Sequence, residues 1–164
     1  IMDMEPETAF RQLLEQGKAD PDSVKFVSRG DDSGTHDKEK AVWQSAGYDY
    51  EDIRSSGQWY IESGSGMGPT LVMADEKQAY TLTDIATFLA IKADQSLIPL
   101  VEKGETLLNV YSAIAVDPNK NVNSEMATKL VKFLTSESVQ QIIGAYGVEE
   151  YGQRLFVPAV EHDI

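Results

Sequence analysis

The apolar positions in the first half of the chain alternate between the spacing of helices and that of strands. Apolar residues at helical spacing follow Pro6 and predict a first helix that ends at Gly17. Three short runs of β-type residues, 24–27, 59–61 and 80–82, then each lead through a turn into a new helical pattern. This alternation predicts an α/β fold whose parallel sheet binds ligands at the carboxyl ends of its strands.

Turn residues predict where the helices after these strands begin. Ser33-Gly34-Thr35 opens the first of them, and Asp84 stands where the third begins. We expect the second to begin at Pro69, since the fixed φ of proline suits a first helical turn. Thr70 would then be a possible hydroxyl donor to a ligand at this helix start.

The second half of the chain has a different pattern. Residues 107–116 form an apolar run that is long for one strand, and two helical segments follow, from Glu125 to Leu134 and from Glu137 to about Tyr146. We expect 109–116 to be a strand that crosses between two lobes. The predicted division is therefore 1–108 and 109–164.

Charge and composition narrow the classes of function. The 164 residues carry a net charge of −13 with only 14 lysines and arginines, which argues against a nucleic-acid partner. No apolar run approaches the ~20 residues that a bilayer span needs. The chain has no cysteine, and His36 and His162 lie far apart, so we expect no resident metal ion.

The segment 28–35, Ser-Arg-Gly-Asp-Asp-Ser-Gly-Thr, has the chemistry of an oxyanion-binding turn. Gly30 and Gly34 allow a tight backbone and a close approach to a ligand. Ser33 and Thr35 offer hydroxyl donors beside the free amides of a helix N-terminus, which attracts anions. Arg29 adds a planar fork of donors that matches two oxygens of one anion. Ser28 is a further possible donor in this segment.

The two aspartates in this turn need another role, because carboxylates repel an anion. We assign Asp31 to pairing with Arg29 and orienting it, and Asp32 to capping the helix. The alternative is that Asp32 or Ser33 only caps the helix and that residues 29–31 form a surface turn, since such residues precede most helices.

Several separated motifs resemble those of the tungstate-binding proteins of ABC importers. The matching segments are 26–36 (FVSRGDDSGTH), 59–62 (WYIE), 66–71 (GMGPTL), 79–84 (AYTLTD), 114–118 (IAVDP), 133–137 (FLTSE) and 151–156 (YGQRLF). The core of the first motif is also similar to that of phosphate-binding proteins of the same fold superfamily. The resemblance covers nearly the whole chain from Lys25 onward.

This resemblance implies a two-lobed fold of the type II periplasmic-binding kind, with a mixed or parallel sheet flanked by helices in each lobe. Residues 1–108 would be the second lobe, and 109–164 the crossover strand and the helices that return to the first lobe. The family's Thr/Ser-rich ligand loop is not found, so the first lobe is expected to be incomplete and the chain to be a C-terminal fragment. The implied ligand is tungstate, next molybdate, with no cofactor.

The resemblance also implies a setting and a partner. The intact protein would be a monomer outside the cytoplasm, in the periplasm or beyond the cell, with a signal peptide upstream of residue 1. Its partner would be a membrane permease. An oxyanion-sensing regulatory domain of the same fold, or a phosphate- or sulfate-type binding protein, remains the alternative.

Other functions are disfavoured by particular residues. A dinucleotide fingerprint over 64–69 would need glycine where Pro69 stands. A hydrolase built on Ser33, His36 and Asp84 would lack the G-x-S-x-G elbow, and His36 is expected to be solvated in its first helical turn. We therefore expect no catalytic residue. The aromatic side chains expected in the core are Trp43, Trp59 and Phe88.

Overall fold

The computed structural model describes residues 1–120 and 122–158. The chain divides into two compact units, Ile1–Leu108 and Asn109–Ile164. The strands of the first unit are β1 (Phe26–Ser28), β2 (Tyr60–Glu62) and β3 (Tyr80–Thr81). Its helices are α1 (Pro6–Ala19), α2 (Gly34–Ser45), α3 (Tyr50–Arg54), α4 (Met67–Glu76) and α5 (Ile85–Ile91), with short 3₁₀ turns at Lys92–Asp94 and Glu105–Leu107. The second unit contains α6 (Ser124–Leu134), α7 (Glu137–Ala145) and α8 (Val148–Tyr151).

The sheet of the first unit is parallel, with β1 in the centre and the order β2-β1-β3. Phe26 pairs with Tyr60 on one side and with Tyr80 on the other. Helices connect the strands in sequence, as parallel pairing requires. The predicted α/β class with a parallel sheet is therefore confirmed.

The core lies on both faces of this sheet because successive side chains of β1 point to opposite sides. Phe26 packs with α1, α2 and β2 in an aromatic core, where its ring stacks on Tyr60 at 5.7 Å between centroids. Val27 packs on the other side with Ala74 of α4 and Ala79. The predicted core residues Trp43, Trp59 and Phe88 are buried, as expected.

Two predicted helix ends are wrong. The first helix continues past Gly17 to Ala19. Gly17 is buried against Trp59, so closely that a Cβ at this position would lie 2.4 Å from the ring. The fourth helix begins at Met67 and not at Pro69, which lies in its first turn. Proline is tolerated in that turn because the first amides of a helix lack intrahelical acceptors.

The regular elements of the second unit, over its described residues, are the three helices α6, α7 and α8. Gly147 separates α7 from α8 with a left-handed φ of +89°, and the rings of Tyr146 and Phe156 pack at 5.9 Å. Residues 109–116, predicted as a crossover strand, are not a strand in the described chain, and the side chains of Val110 and Ile114 are 76% and 85% exposed. A strand needs a neighbour to complete its backbone hydrogen bonds, and the described residues of this unit provide none.

Over residues 1–120 and 122–158, the structure contains no helix with both the length and the apolar character needed to cross a membrane.

Candidate functional site

The candidate site lies where β1 and β2 end side by side. Residues 28–35, here called the anion turn, run from the last residue of β1 into the first turn of α2, and residues 63–66 join β2 to α4. The Ser63 amide donates to the Ser28 carbonyl at 2.9 Å, and the Ser63 hydroxyl donates to the Arg29 carbonyl at 3.2 Å. These bonds fix the two loops together at the carboxyl edge of the sheet, which is where ligands bind in parallel α/β sheets.

Two left-handed residues shape the backbone of the anion turn. Gly30 has a φ of +60°, and a Cβ there would lie 2.8 Å from the Cβ of Glu62. Glycine is therefore required at position 30 for both its conformation and its contact. Asp32 also has a positive φ, +53°, a conformation that aspartate adopts more readily than most residues.

Arg29 is held by the aspartate two residues later. Its Nε and Nη2 donate to Asp31 Oδ2 at 3.1 and 2.5 Å, while Asp31 Oδ1 accepts from the Ser33 amide at 3.2 Å. A hydrogen bond from the Ser33 hydroxyl is the largest cause that lowers the pKa of Asp31 to about 2. The pairing with Arg29 and the bond from the Ser33 amide also lower it. The carboxylate is therefore ionised at neutral pH and fixes one edge of the guanidinium, while the remaining N–H groups of the fork have no acceptor among the described residues.

The N-terminus of α2 presents donors at the same turn. The Gly34 and Thr35 amides, the first two of the helix, find no acceptor in the described residues, and neither does the Thr35 hydroxyl. A Cβ at Gly34 would meet no described atom within 4 Å, so the space beside these amides is open. The φ of Gly34 is not positive, so the backbone conformation does not require glycine there, contrary to that part of the prediction; the close approach of a ligand at Gly34 stays a prediction.

The cap of α2 is Ser33, whose hydroxyl oxygen accepts from the His36 amide at 3.3 Å. The prediction that Asp32 caps this helix is wrong. Asp32 stands one residue before the cap, and its carboxylate instead accepts from Lys40 Nζ at 2.7 Å. Pairing with Lys40 lowers the pKa of Asp32.

Two predicted ligand donors are turned into the interior. Ser28 is 1% exposed, and its hydroxyl accepts from the Gly30 amide at 3.2 Å. Thr70 is fully buried in the second turn of α4, where its hydroxyl donates to the Gly66 carbonyl at 2.9 Å. Thr70 therefore does not stand at a helix start, and neither hydroxyl faces the open side of the anion turn.

His36 is buried, contrary to the prediction of a solvated ring, and stands at the centre of a hydrogen-bonded chain. Its Nδ1 accepts from the Asp32 amide at 3.0 Å, and its Nε2 lies 2.7 Å from the Tyr50 hydroxyl. Tyr50 donates to Glu62 Oε1 at 2.7 Å, and Glu62 Oε2 accepts from Arg54 Nε at 2.9 Å. Desolvation by burial, followed by repulsion from Lys40, lowers the pKa of His36.

A buried glutamate lies beside the hydrogen-bonded residues His36, Tyr50 and Glu62. Glu39 is 2% exposed, and its Oε1 accepts from Tyr60 Oη at 2.5 Å and from Trp43 Nε1 at 3.2 Å. Burial raises the pKa of Glu39, because its hydrogen bonds only partly offset the loss of water. The Tyr60 hydroxyl also lies 3.3 Å from that of Tyr50. The hydrogen bonds around Glu39 are therefore in contact with those that join His36, Tyr50 and Glu62.

Sequence reasoning missed these interior polar residues. The available signal was spacing: His36, Glu39 and Trp43 recur at three- and four-residue intervals and so lie on one face of α2, the face that packs inward. No comparable signal connects Tyr50 and Glu62 to that face, because their contacts depend on the tertiary fold.

The anion turn thus belongs to a ligand-binding type of α/β domain. Residues 9–138 match the model of the PBP superfamily domain, and the chain belongs to this superfamily. It is similar to the tungstate-binding protein TupA of Peptoclostridium acidaminophilum, with 47% identity over 152 residues, which are 92% of this chain and 49% of that protein. The predicted resemblance to tungstate-binding proteins is confirmed.

Solved structures agree with this relationship. The tungstate-binding protein TupA from Desulfovibrio alaskensis G20 matches 98% of this chain and 62% of its own, with a TM-score of 0.79 and 33% identity. The tungstate ABC transporter structure from Geobacter sulfurreducens matches 88% of this chain and 57% of its own, with a TM-score of 0.64 and 35% identity. The chain spans about half the length of the curated relatives it matches.

Proposed function

We propose that this chain is part of a solute-binding component of an ABC transporter that captures a tetrahedral oxyanion, tungstate first and molybdate next. The observation that carries the proposal is the convergence of donors at the anion turn. The free edge of Arg29, the amides of Gly34 and Thr35 and the Thr35 hydroxyl all belong to one short segment at the carboxyl edge of the sheet. Ser33, predicted as a further donor, instead gives its amide and its hydroxyl to Asp31 and so supports the site through that carboxylate.

The electrostatics of the turn support an anion over a neutral ligand. A helix N-terminus carries roughly half a positive charge, and Arg29 adds a full one. Asp31 offsets part of this charge, yet its oxygens are occupied by Arg29 and Ser33. Each charge-assisted hydrogen bond to an anion contributes on the order of 1.5–3 kcal/mol, so several together support tight binding.

The proposed site is one side of a cleft. The anion turn supplies donors from one lobe, and we expect a second lobe to supply the remainder of the anion shell. In this proposal residues 1–108 are the second lobe, while 109–164 cross back to the first. The similarity to proteins twice the length of this chain supports the assignment.

The setting follows from the same proposal. A monomeric binding protein outside the cytoplasm would deliver the anion to a membrane permease, without a resident cofactor or catalytic residue. An oxyanion sensor with the same lobes is distinguished by what precedes the domain. A signal peptide favours transport, and a DNA-binding helix-turn-helix favours sensing.

Calorimetric titration of the full-length protein with tungstate, molybdate and phosphate tests the ligand class. The proposal predicts saturable binding of tungstate and molybdate with one anion per protein. Preference for phosphate over both would contradict the assignment to tungstate-type anions, and absence of binding to all three would contradict oxyanion capture itself.

A further inference from the structure

The hydrogen bonds around His36 run in a single direction. The Asp32 amide can only donate, so His36 Nδ1 is the acceptor and the proton of the neutral ring sits on Nε2. Nε2 therefore donates to the Tyr50 oxygen, and the Tyr50 proton goes to Glu62. Burial raises the pKa of Tyr50 to about 12, so this phenol stays protonated at neutral pH.

Both ends of this chain of bonds touch the anion turn. At one end, the ring nitrogen holds the amide of Asp32, a residue with a left-handed backbone. At the other end, Glu62 forms the surface against which Gly30, the second left-handed residue, is packed. The two unusual backbone conformations that shape the turn are thus supported by one set of connected side chains.

We propose that His36, Tyr50 and Glu62 are positioning residues that hold the anion turn in its binding geometry, through a directional relay that begins at the Asp32 amide. The inference rests on the proposed function, since it assigns these residues to the same site. None of them touches the anion; they act through the backbone that places Arg29 and the α2 amides. We call this set the His36 relay.

The His36 relay makes anion binding sensitive to pH. A proton added to His36 goes to Nδ1, where it faces the Asp32 N–H, so two donors oppose each other and the turn must rearrange. The groups that face His36 from its own helix, the turn, α3 and β2 are Lys40, Asp31, Asp32, Tyr50 and Glu62. The three carboxylates favour the protonated ring, but burial and Lys40 outweigh them. The ring is therefore neutral at pH 7, and the turn is intact.

Tyr50→Phe in the full-length protein is the first test, with Tyr48→Phe as a matched control. Tyr48 is half-buried in the connection between α2 and α3, two residues before Tyr50, and its hydroxyl makes no hydrogen bond in the described residues. Removal of the Tyr50 hydroxyl leaves His36 and Glu62 without their shared partner, so tungstate should bind about tenfold more weakly while Tyr48→Phe binds as wild type. Equal affinities in the two variants would overturn the proposal.

The pH profile separates positioning from general structural support. The oxygen of asparagine in His36→Asn can accept from the Asp32 amide without titrating. Because the pKa of His36 lies below 6.5, wild-type affinity for tungstate should fall as pH decreases below about 6.5, more steeply than that of His36→Asn. Acid–base chemistry of tungstate itself affects both proteins equally, so coincident profiles would refute the relay. If His36→Asn does not fold, the comparison of Tyr50→Phe with Tyr48→Phe decides.

Amide hydrogen exchange at Asp32, measured by NMR without ligand, distinguishes failure of the relay from failure of the proposed function. Faster exchange in Tyr50→Phe than in Tyr48→Phe supports the relay even if wild type binds no tungstate, a result that would refute oxyanion capture alone. Equal exchange in both variants would refute the relay whatever the ligand.

Discussion

Two glycines of the anion turn should respond in opposite ways to the same substitution. Gly30 combines a left-handed φ with a close approach to Glu62, whereas Gly34 has neither constraint. Gly30→Ala therefore tests the backbone of the turn, and Gly34→Ala tests the open space beside the helix amides. Each variant serves as the control for the other.

The cost of Gly30→Ala follows from two contributions. An alanine in the left-handed region costs about 1–2 kcal/mol relative to glycine. The new methyl would begin 2.8 Å from Glu62 Cβ, and such overpacking costs typically about 1–3 kcal/mol. The sum is about 2–5 kcal/mol. Gly30→Ala should therefore unfold at a lower Tm than wild type, because its free energy of unfolding falls by this amount.

Gly34→Ala should leave stability unchanged or slightly raised, because alanine has the higher helix propensity, by up to about 1 kcal/mol. Its methyl would occupy the space where the anion meets the amides of Gly34 and Thr35, so tungstate affinity should fall at least about tenfold. Thermal unfolding by circular dichroism and calorimetry on the same samples measure both quantities. Equal stability of the two variants, or undiminished affinity in Gly34→Ala, would refute this description of the turn.

Two further predictions concern the core beneath the site. The folded-state pKa of Glu39 lies above its unfolded value of about 4.5, so the native state binds the extra proton and stability falls as pH rises from there through the raised pKa. Glu39→Gln should remove this slope in urea unfolding measured across that pH range, and a slope that persists would mean that another group causes it. Gly17→Ala places a methyl 2.4 Å from the Trp59 ring and should destabilise by about 1–3 kcal/mol despite better helix propensity. A stability equal to wild type in the same assay would show that the ring can move aside.

Local signals predicted the parts of the fold that depend on neighbouring residues. The strand before Ser28 and the helix after Ser33 follow from short-range periodicity and from helix-start chemistry, and both are present. Arg29 and the α2 amides were therefore placed on one turn from sequence alone. Asp32 was misassigned because serine and aspartate are equivalent as caps in sequence, and the backbone at each position decides between them.

Features that depend on distant residues were not predictable in this way. In the sequence, Gly17 has the character of a helix end. Its actual role is to pack against Trp59, a residue far along the chain, and no local pattern reveals that contact. The His36 relay joins residues from α2, α3 and β2, which no periodic pattern relates. Residues 109–116 have the composition of a strand, but composition cannot supply the neighbour that a strand requires.

The central claim is that the anion turn captures an oxyanion, and calorimetric titration of tungstate into the full-length Arg29→Ala variant tests it most directly. Lys18→Ala is the matched control, since it also removes one positive charge, from an exposed position at the end of α1. Loss of two charge-assisted hydrogen bonds of about 1.5–3 kcal/mol each predicts affinity at least about a hundredfold weaker for Arg29→Ala, with Lys18→Ala unchanged. Tungstate binding by Arg29→Ala at the wild-type affinity would contradict the account.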